Sequence, residues 1–462
     1  MANQVAGIIL AAGKGTRMKS EIPKVLHEVC GVPMVELVAR AMREAGVSKI
    51  VVVIGHGAEQ VRARLGDAYE YAVQDPPQGT GDAARVGMTC LEDWEGPVII
   101  SSGDTPLMTG EALSALVTAQ AKDNASAVVA TVRLPDPFGY GRVLWDNGRF
   151  SGIIEEKDAT PEQKKLDEVC VSVYAFDAAR LRATLPKLQP NNAQGEYYLT
   201  DIPGIMSAEG DVVITELYDD FALFTGVNDR VQLAGASSVL RNRINERHMR
   251  NGVTMIDPTS VYIGLDVEIG KDTIVFPDSH LEGKTVIGSN CEIGPNIRIK
   301  DSQVGSGSQV HHSVVFDSKV ADMVRIGPYA TLRNGADIGP KVKLGNFVEI
   351  KNSRLDEKVS VAHLSYIGDA TVGEYTNIGA GTITCNYDGF AKHRTQIGKG
   401  AFIGTNSTLI APVSIGDAAI IAAGSVINKD VPSDAGAFGR SRQENKDGWA
   451  TRWRGIRQGK EQ

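Results

Sequence analysis

Residues 320–350 read VADMVRIGPYATLRNGADIGPKVKLGNFVEI, and every sixth position is aliphatic: Val320, Ile326, Leu332, Ile338, Leu344 and Ile350. The same beat runs through Ile263, Ile269, Val275, Leu281, Ile287, Ile293 and Ile299. It returns at Ile397, Ile403, Leu409, Ile415, Ile421 and Ile427. A period of six fits neither an α-helix nor an alternating strand. It fits a chain that turns a corner every six residues and points one aliphatic side chain inward per face. Three faces close a triangular coil, and stacked coils pair their backbones about 4.8 Å apart. Gly327, Gly339 and Gly345 follow inward residues, where glycine suits an unusual backbone conformation at a corner. The spacing predicts a parallel β-helix over residues 253–438.

Ahead of these repeats the pattern changes. Residues 5–10, 49–54, 97–101 and 127–132 read as short buried strands, and 34–45 and 111–121 as helices between them. That alternation predicts an α/β domain with a mostly parallel sheet over residues 1–228. Residues 229–250 have helical spacing, and 229–252 form the expected linker. The repeats pause at 385–396, a polar insertion expected to project as a loop, and the beat stops after Asp430-Val431-Pro432. A basic, polar tail over 439–462 carries Trp449 and Trp453, placed to dock on a neighbour.

Composition narrows the functional classes. The 462-residue chain has net charge −8, with a basic run only near Arg452, Arg454 and Arg457. Nucleic acid is not the expected partner. The five cysteines are scattered and form no Cys-x-x-Cys, so neither a disulfide framework nor a zinc site is expected. Gly13-Lys14-Gly15 interrupts the first apolar run, unlike a signal peptide, and no stretch approaches about 20 apolar residues. A cytoplasmic protein without a membrane span is the expectation.

The first strand is followed by Leu10-Ala11-Ala12-Gly13-Lys14-Gly15-Thr16-Arg17-Met18, then Pro23-Lys24. Small residues let the backbone approach a ligand, and free N–H groups hold phosphate oxygens. Arg17 and Lys24 supply charge to neutralise a pyrophosphate leaving group. The spacing matches neither G-x-G-x-x-G nor G-x-x-x-x-G-K-[ST]. Ser102-Gly103-Asp104 ends the 97–101 strand, and an Asp at a strand's carboxyl end sits where open α/β sheets bind ligands. It suits Mg2+, which takes one or two carboxylates plus phosphate oxygens; it equally suits a turn before Pro106. Gln74, Gly79-Thr80-Gly81, Gly139-Tyr140-Gly141-Arg142 and Glu155-Glu156-Lys157 add polar groups. Each alone is also what an ordinary loop contains.

Together these segments resemble the sugar-nucleotide pyrophosphorylases, nucleotidyltransferases of Rossmann-like fold. The likeness rests on LAAGKGTRM with PK, on QGTGDA, SGD and GVN, and covers residues 5–228. It implies that Leu10, Ala11, Ala12, Gly13 and Gln74 hold uracil and ribose, with Gly79, Thr80, Ser102 and Gly103 also facing the nucleotide. It implies that Arg17 and Lys24 handle phosphates, Asp104 and Asn228 bind Mg2+, and Gly141 and Glu155 contact the sugar.

In the coil, Arg333, Lys351 and Lys392 are cations, His363 and Tyr366 stand close in VAHLSY, and Asn377 precedes GAGTITCNYDG. Histidine titrates near neutral pH and suits a general base; a histidine on a coil corner is also plain surface. With this loop the coil resembles the left-handed hexapeptide acyltransferases. The whole chain is similar to the bifunctional N-acetylglucosamine-1-phosphate uridyltransferase / glucosamine-1-phosphate N-acetyltransferase family. The likeness implies that His363 takes a proton from the sugar 2-amine, which attacks the acetyl-CoA thioester. Arg333, Lys351 and Lys392 would grip the sugar phosphate; Tyr366 and Asn377 would orient the sugar. Ala380, Asn386, Tyr387, Thr405, Ala423 and Arg440 would line the groove for acetyl-CoA, a co-substrate. The substrates implied are UTP, glucosamine 1-phosphate and acetyl-CoA, the product UDP-N-acetylglucosamine, and the assembly a homotrimer that feeds cell-wall and lipopolysaccharide synthesis.

The chain departs from that family's usual pattern at Cys170-Val171-Ser172, where Asn-Thr-Gly or Asn-Ser-Gly is usual, and at Gln78, Asp82 and Thr405. Cysteine is a weak donor and acceptor, so no sugar-binding role passes to Cys170. A covalent role for Cys385 is disfavoured because no partner base is evident. Two alternatives stay open at this point: a single-activity sugar-1-phosphate nucleotidyltransferase with a structural β-helix, and a non-catalytic assembly subunit.

Overall fold

The computed structural model describes residues 4–458, which divide into two compact units between Ile244 and Asn245. The first unit is built on a nine-stranded sheet. Its main path runs Val213–Tyr218, Ala127–Arg133, Glu168–Asp177, Pro97–Ser102, Val5–Ala11, Val47–Ile54 and Glu70–Val73. Val5–Ala11 is apolar throughout because both of its faces are covered. Ile9 and Ala11 join one core with Val35, Val38, Met42, Leu113 and Leu116 of the helices Met34–Glu44 and Gly110–Asp123. Ala6 and Ile8 join the other with Ala84, Leu181 and Ile202.

The expected strands and helices are present within a few residues of their sequence positions. The expectation of a mostly parallel sheet also holds along the main path, apart from one strand, and off that path Gly141–Asp146 and Arg149–Ile154 form an antiparallel hairpin. Glu168–Asp177 runs antiparallel to all three strands it pairs with and is irregular between Cys170 and Tyr174. Ser172 sits in that irregularity with φ 58°, a left-handed conformation that favours glycine. The parallel strands Val5–Ala11 and Pro97–Ser102 end side by side. Their carboxyl ends deliver Leu10–Gly13 and Ser102–Asp104 to one place.

The second unit is a left-handed parallel β-helix whose strands, two to four residues each, form sheets of eleven, ten and nine strands. Each sheet is one face of the prism. One inward ladder runs Ile326, Leu344, Val361, Ile378, Ile403, Ile421. Where the strict six-beat lapses, a corner has lost a residue: Val310 pairs with Ile326 and Leu344 with Val361, sixteen and seventeen positions on. The ladder itself is continuous. Past Val431 one more rung forms, Gly436–Ala437 on Ile420–Ile421. Backbone pairing needs no aliphatic side chain, so the coil outlasts the beat.

The glycines correct the expectation of strained corners. Of the three in residues 320–350 that follow inward residues, only Gly327 has a left-handed φ, 102°. At Gly339 an added Cβ would lie 2.8 Å from the backbone of Asp356, and at Gly345 it would strike Ala362. These two are small because the next coil passes over them. The left-handed corners are instead held by Met323, Tyr329, Asn334, Lys341, Phe347, Asn352, Lys358 and Leu364.

Ile350 is fully buried between Leu332 and Ile367 in the ladder. Ile350→Ala is expected to cost about 2–5 kcal/mol, read as a lower denaturant midpoint of the second unit.

Candidate active sites

In the first unit, Leu10, Ala11, Ala12, Gly13, Lys24, Gln74, Gly79, Thr80, Ser102 and Asp104 line one cleft of about 340 Å³. Sequence reasoning missed Lys14, Pro77 and Glu196, which line it too. Two glycines are required there. An added Cβ at Gly15 (φ 58°) would lie 2.5 Å from Lys24 Cβ, and one at Gly79 (φ 110°) 2.5 Å from the Tyr197 carbonyl. Gln74 is buried; its amide nitrogen donates to Asp82 Oδ2 at 2.7 Å and to the Gly79 carbonyl at 3.0 Å. Asp82, one of the chain's departures, thus fixes the orientation of Gln74.

Lys24 Nζ is paired with Asp104 Oδ2 and donates to Asn228 Oδ1 at 3.2 Å. Arg17 Nη2 donates to the same Asn228 oxygen at 2.9 Å. Ser102 Oγ donates to Asp104 Oδ1 at 2.6 Å, and the Val227 N–H to the Asp104 carbonyl at 2.9 Å. Arg17, Lys24, Asp104 and Asn228 therefore meet, from three chain segments. The Lys24 ammonium stands as a cation between a carboxylate oxygen and an amide oxygen. Such hard oxygen ligands are the donor set Mg2+ takes from a protein, its other positions going to phosphate and water.

Gly103 lies behind the cleft, its N–H donating to the Leu10 carbonyl at 2.9 Å. Gly141 and Glu155 stand together: a Cβ at Gly141 would lie 3.6 Å from the Glu155 carboxyl. Thr200 Oγ1 donates to Glu155 at 2.9 Å. Burial raises the Glu155 pKa, and burial together with the Glu155 charge raises Asp201 to about 6. Thr200 and Asp201 carried no motif in the sequence. Cys170 faces the core. Its thiol donates to the Tyr174 hydroxyl at 3.2 Å, and burial pushes its pKa up to about 12.

In the second unit, Arg333, Lys351 and Gly368 stack on one face, with Glu349 and Tyr366 beside them. Arg333 Nε donates to Glu349 at 2.8 Å. Lys351 is nine-tenths buried, 3.8 Å from Asp369 Oδ2. Lys392 returns from the predicted projecting loop, which leaves the coil after Ile383–Cys385 and rejoins it at Thr395–Ile397. The Lys351 ammonium beside it holds the Lys392 pKa below its ordinary value. Two ammonium groups side by side favour an anion between them. Burial pushes Asp369 up, but donation from Asn352 at 2.5 Å and from Asn386, with the Lys351 charge, outweighs it and leaves the carboxyl below its usual range.

His363 is exposed and starts a strip along one edge of the prism. The Gly381 N–H donates to the His363 carbonyl at 3.3 Å, Asn406 to Ala380 at 2.7 Å and Gly424 to Thr405 at 2.8 Å. A Cβ on Gly424 would lie 3.9 Å from Arg440 Cδ. His363, Ala380, Thr405, Ala423 and Arg440 thus follow one another up a single edge, about 19 Å for four coil steps. Asn377 is one strand further up, in register with Ser360. Asn386 and Tyr387 do not join the strip. Asn386 bonds Asp369 and lies 3.5 Å from the Tyr366 hydroxyl; Tyr387 belongs to the projecting loop, bridged to Lys392.

An α/β cleft with a Gly-rich loop on which Arg17, Lys24, Asp104 and Asn228 converge, followed along the chain by a triangular coil with an exposed histidine, defines a nucleotidyltransferase fused to a hexapeptide transferase. Residues 7–158 match the MobA-like NTP transferase domain, and residues 394–429 the six-repeat bacterial transferase hexapeptide. The chain is 50% identical over 442 residues to bifunctional protein GlmU of Carboxydothermus hydrogenoformans, covering 96% of this chain and 99% of that protein. It is 46% identical over 461 residues to GlmU of Brevibacillus brevis, 100% of both chains. A Geobacillus GlmU is 46% identical over 446 residues, 96% of this chain and 97% of that one. The chain belongs to the GlmU family of bifunctional proteins.

Proposed function

We propose that the chain makes UDP-N-acetylglucosamine in two steps at two sites. In the first, the phosphate of glucosamine 1-phosphate sits among Arg333, Lys351 and Lys392, while Tyr366 and Asn377 orient the sugar. His363 accepts a proton from the 2-amine, the nitrogen forms its bond to the acetyl carbonyl carbon, and the C–S bond breaks to release coenzyme A. The edge from Ala380 to Arg440 carries acetyl-CoA. In the second, an oxygen of N-acetylglucosamine 1-phosphate attacks the α-phosphorus of UTP and pyrophosphate leaves. Leu10–Gly13, Gln74, Gly79, Thr80 and Ser102 seat the nucleotide, Gly141 and Glu155 the sugar, and Arg17 and Lys24 neutralise the departing charge. Asp104 and Asn228 hold Mg2+, which when bound neutralises phosphate charge.

The observation that carries this reading is the GlmU match at 46–50% identity over 96–100% of the chain, spanning both clusters. Asn386 and Tyr387 lie away from the His363 edge, which favours a homotrimer whose neighbouring copies complete each acetyl-transfer site. Among the described residues no helix is long and apolar enough to cross a membrane; we place the work in the cytoplasm. The domain limits we adopt are 1–228, 229–252, 253–438 and 439–462.

The test incubates purified protein with glucosamine 1-phosphate, acetyl-CoA, UTP and Mg2+ and identifies products by mass spectrometry. UDP-N-acetylglucosamine, coenzyme A and pyrophosphate are expected. Absence of free coenzyme A sinks the acetyl step. Lys351→Ala is expected to raise KM for glucosamine 1-phosphate about 10- to 100-fold, the loss of one charge-assisted contact, with KM for acetyl-CoA near the wild-type value in steady-state assays.

A further inference from the structure

The helix Arg230–Arg250 begins two residues after Asn228, and its first turn is tied to that residue. Asp229 Oδ1 accepts the Gln232 N–H at 2.8 Å, and Gln232 Oε1 accepts the Asn228 N–H at 2.7 Å. Arg230 reaches further. Its Nε donates to the Met18 carbonyl at 3.4 Å, and its Nη1 donates to His27 Nδ1 at 3.2 Å. A guanidinium can only donate, so Nδ1 accepts and the neutral ring carries its proton on Nε2. His27 is buried, and burial and the Arg230 charge both hold its pKa below the ordinary value, against the Ile22 carbonyl. Met18 is buried as well. Both anchor points are therefore fixed in the core.

Those anchors lie next to functional side chains. Met18 follows Arg17 in the short helical turn Thr16–Met18. His27 caps the turn Lys24–Leu26. Arg17 and Lys24 converge on Asn228 Oδ1, and Arg230 is covalently two residues from Asn228. One guanidinium thus ties the Met18 carbonyl and the His27 ring to the start of the helix, and the side chains beside these points meet at one oxygen. A lysine has one nitrogen and a shorter reach, and cannot make both contacts with that fork geometry.

We propose that Arg230 is a positioning residue for uridylyl transfer, holding Arg17, Lys24 and Asn228 in register through Met18 and His27. The proposal rests on the uridylyl-transfer reading above. Misplacement on the ångström scale costs up to about 100-fold in rate, so loss of the clamp should appear in kcat. Ground-state binding of nucleotide, carried by Leu10–Gly13 and Gln74, should change little.

The test uses full-length Arg230→Ala and Arg230→Lys, with UTP, N-acetylglucosamine 1-phosphate and Mg2+, and acetyl transfer measured on the same samples. Arg230→Ala is expected to lower uridylyl kcat about 30-fold, with KM for UTP within about threefold. Arg230→Lys should recover only part of it, and acetyl transfer should stay at the wild-type rate. Added to Asn228→Ala, Arg230→Ala should cost clearly less than its full loss of about 30-fold, because part of its effect runs through Asn228. A wild-type kcat in Arg230→Ala, a full extra loss in the Asn228→Ala background, or a parallel fall in acetyl transfer would each overturn the proposal. Wild-type protein that makes no UDP-sugar would overturn the underlying reading instead, a failure visible before any substitution is introduced.

Discussion

His363→Ala is expected to lower acetyl transfer about 10³-fold and to leave uridylyl transfer within about twofold. The first figure is the ordinary loss when a general base is removed. Three features support that proposed role for His363. It is exposed, so its ring is open to a substrate. It starts the edge on which Ala380, Thr405, Ala423 and Arg440 succeed one another, so a ligand extended along that edge ends beside it. It sits three residues before the strand Tyr366–Gly368, whose neighbour carries Lys351. Truncation at an exposed corner removes no core contact, so stability should hold. Coenzyme A release, followed with a thiol reagent beside a pyrophosphate assay, separates the two activities. Loss of both from a folded variant would defeat the two-site assignment.

The solenoid was legible in the sequence because its repeat is local. One inward aliphatic per six residues fixes a face, and the lost corner residues and the 385–396 insertion blur the count. The reason for Gly339 and Gly345 was not legible, because it lies in the coil above, about one turn later in the chain. Glu168–Asp177 was missed for the same cause: nothing in a strand's own residues states which neighbours it meets or in which direction. At the nucleotide cleft the loops announced themselves through small residues and charges. The meeting of Lys24 with Asn228, 204 residues apart, did not. Nor did the role of Asp82, which depends on Gln74 reaching the helix Thr80–Met88 from the end of the strand Glu70–Val73. Asn386 was read with the acetyl-CoA groove from its loop motif alone; its bond to Asp369 sets it beside Lys351 and Tyr366 instead.

Asp104→Ala should give the converse result, uridylyl transfer falling about 10³-fold with acetyl transfer unchanged. Asp104 is nine-tenths buried at the end of Pro97–Ser102, and its two oxygens are engaged by Ser102 and Lys24. Removing it takes away the one carboxylate among the four converging groups. The Lys24 ammonium is left with the neutral Asn228 oxygen and with Arg17 nearby, a site net positive and without a charged ligand for Mg2+. Binding of UTP itself need not suffer, since uncompensated cations attract phosphate. The loss should therefore fall on kcat and on the Mg2+ concentration giving half-maximal rate, not on KM for UTP. Asp104→Asn keeps the shape and the Ser102 contact but removes the charge, so it should resemble Asp104→Ala if charge is what matters. A titration of rate against Mg2+ for both variants decides it. An Asp104→Asn protein with a wild-type Mg2+ requirement would mean that the carboxylate serves only to hold Lys24, and that the metal is bound elsewhere.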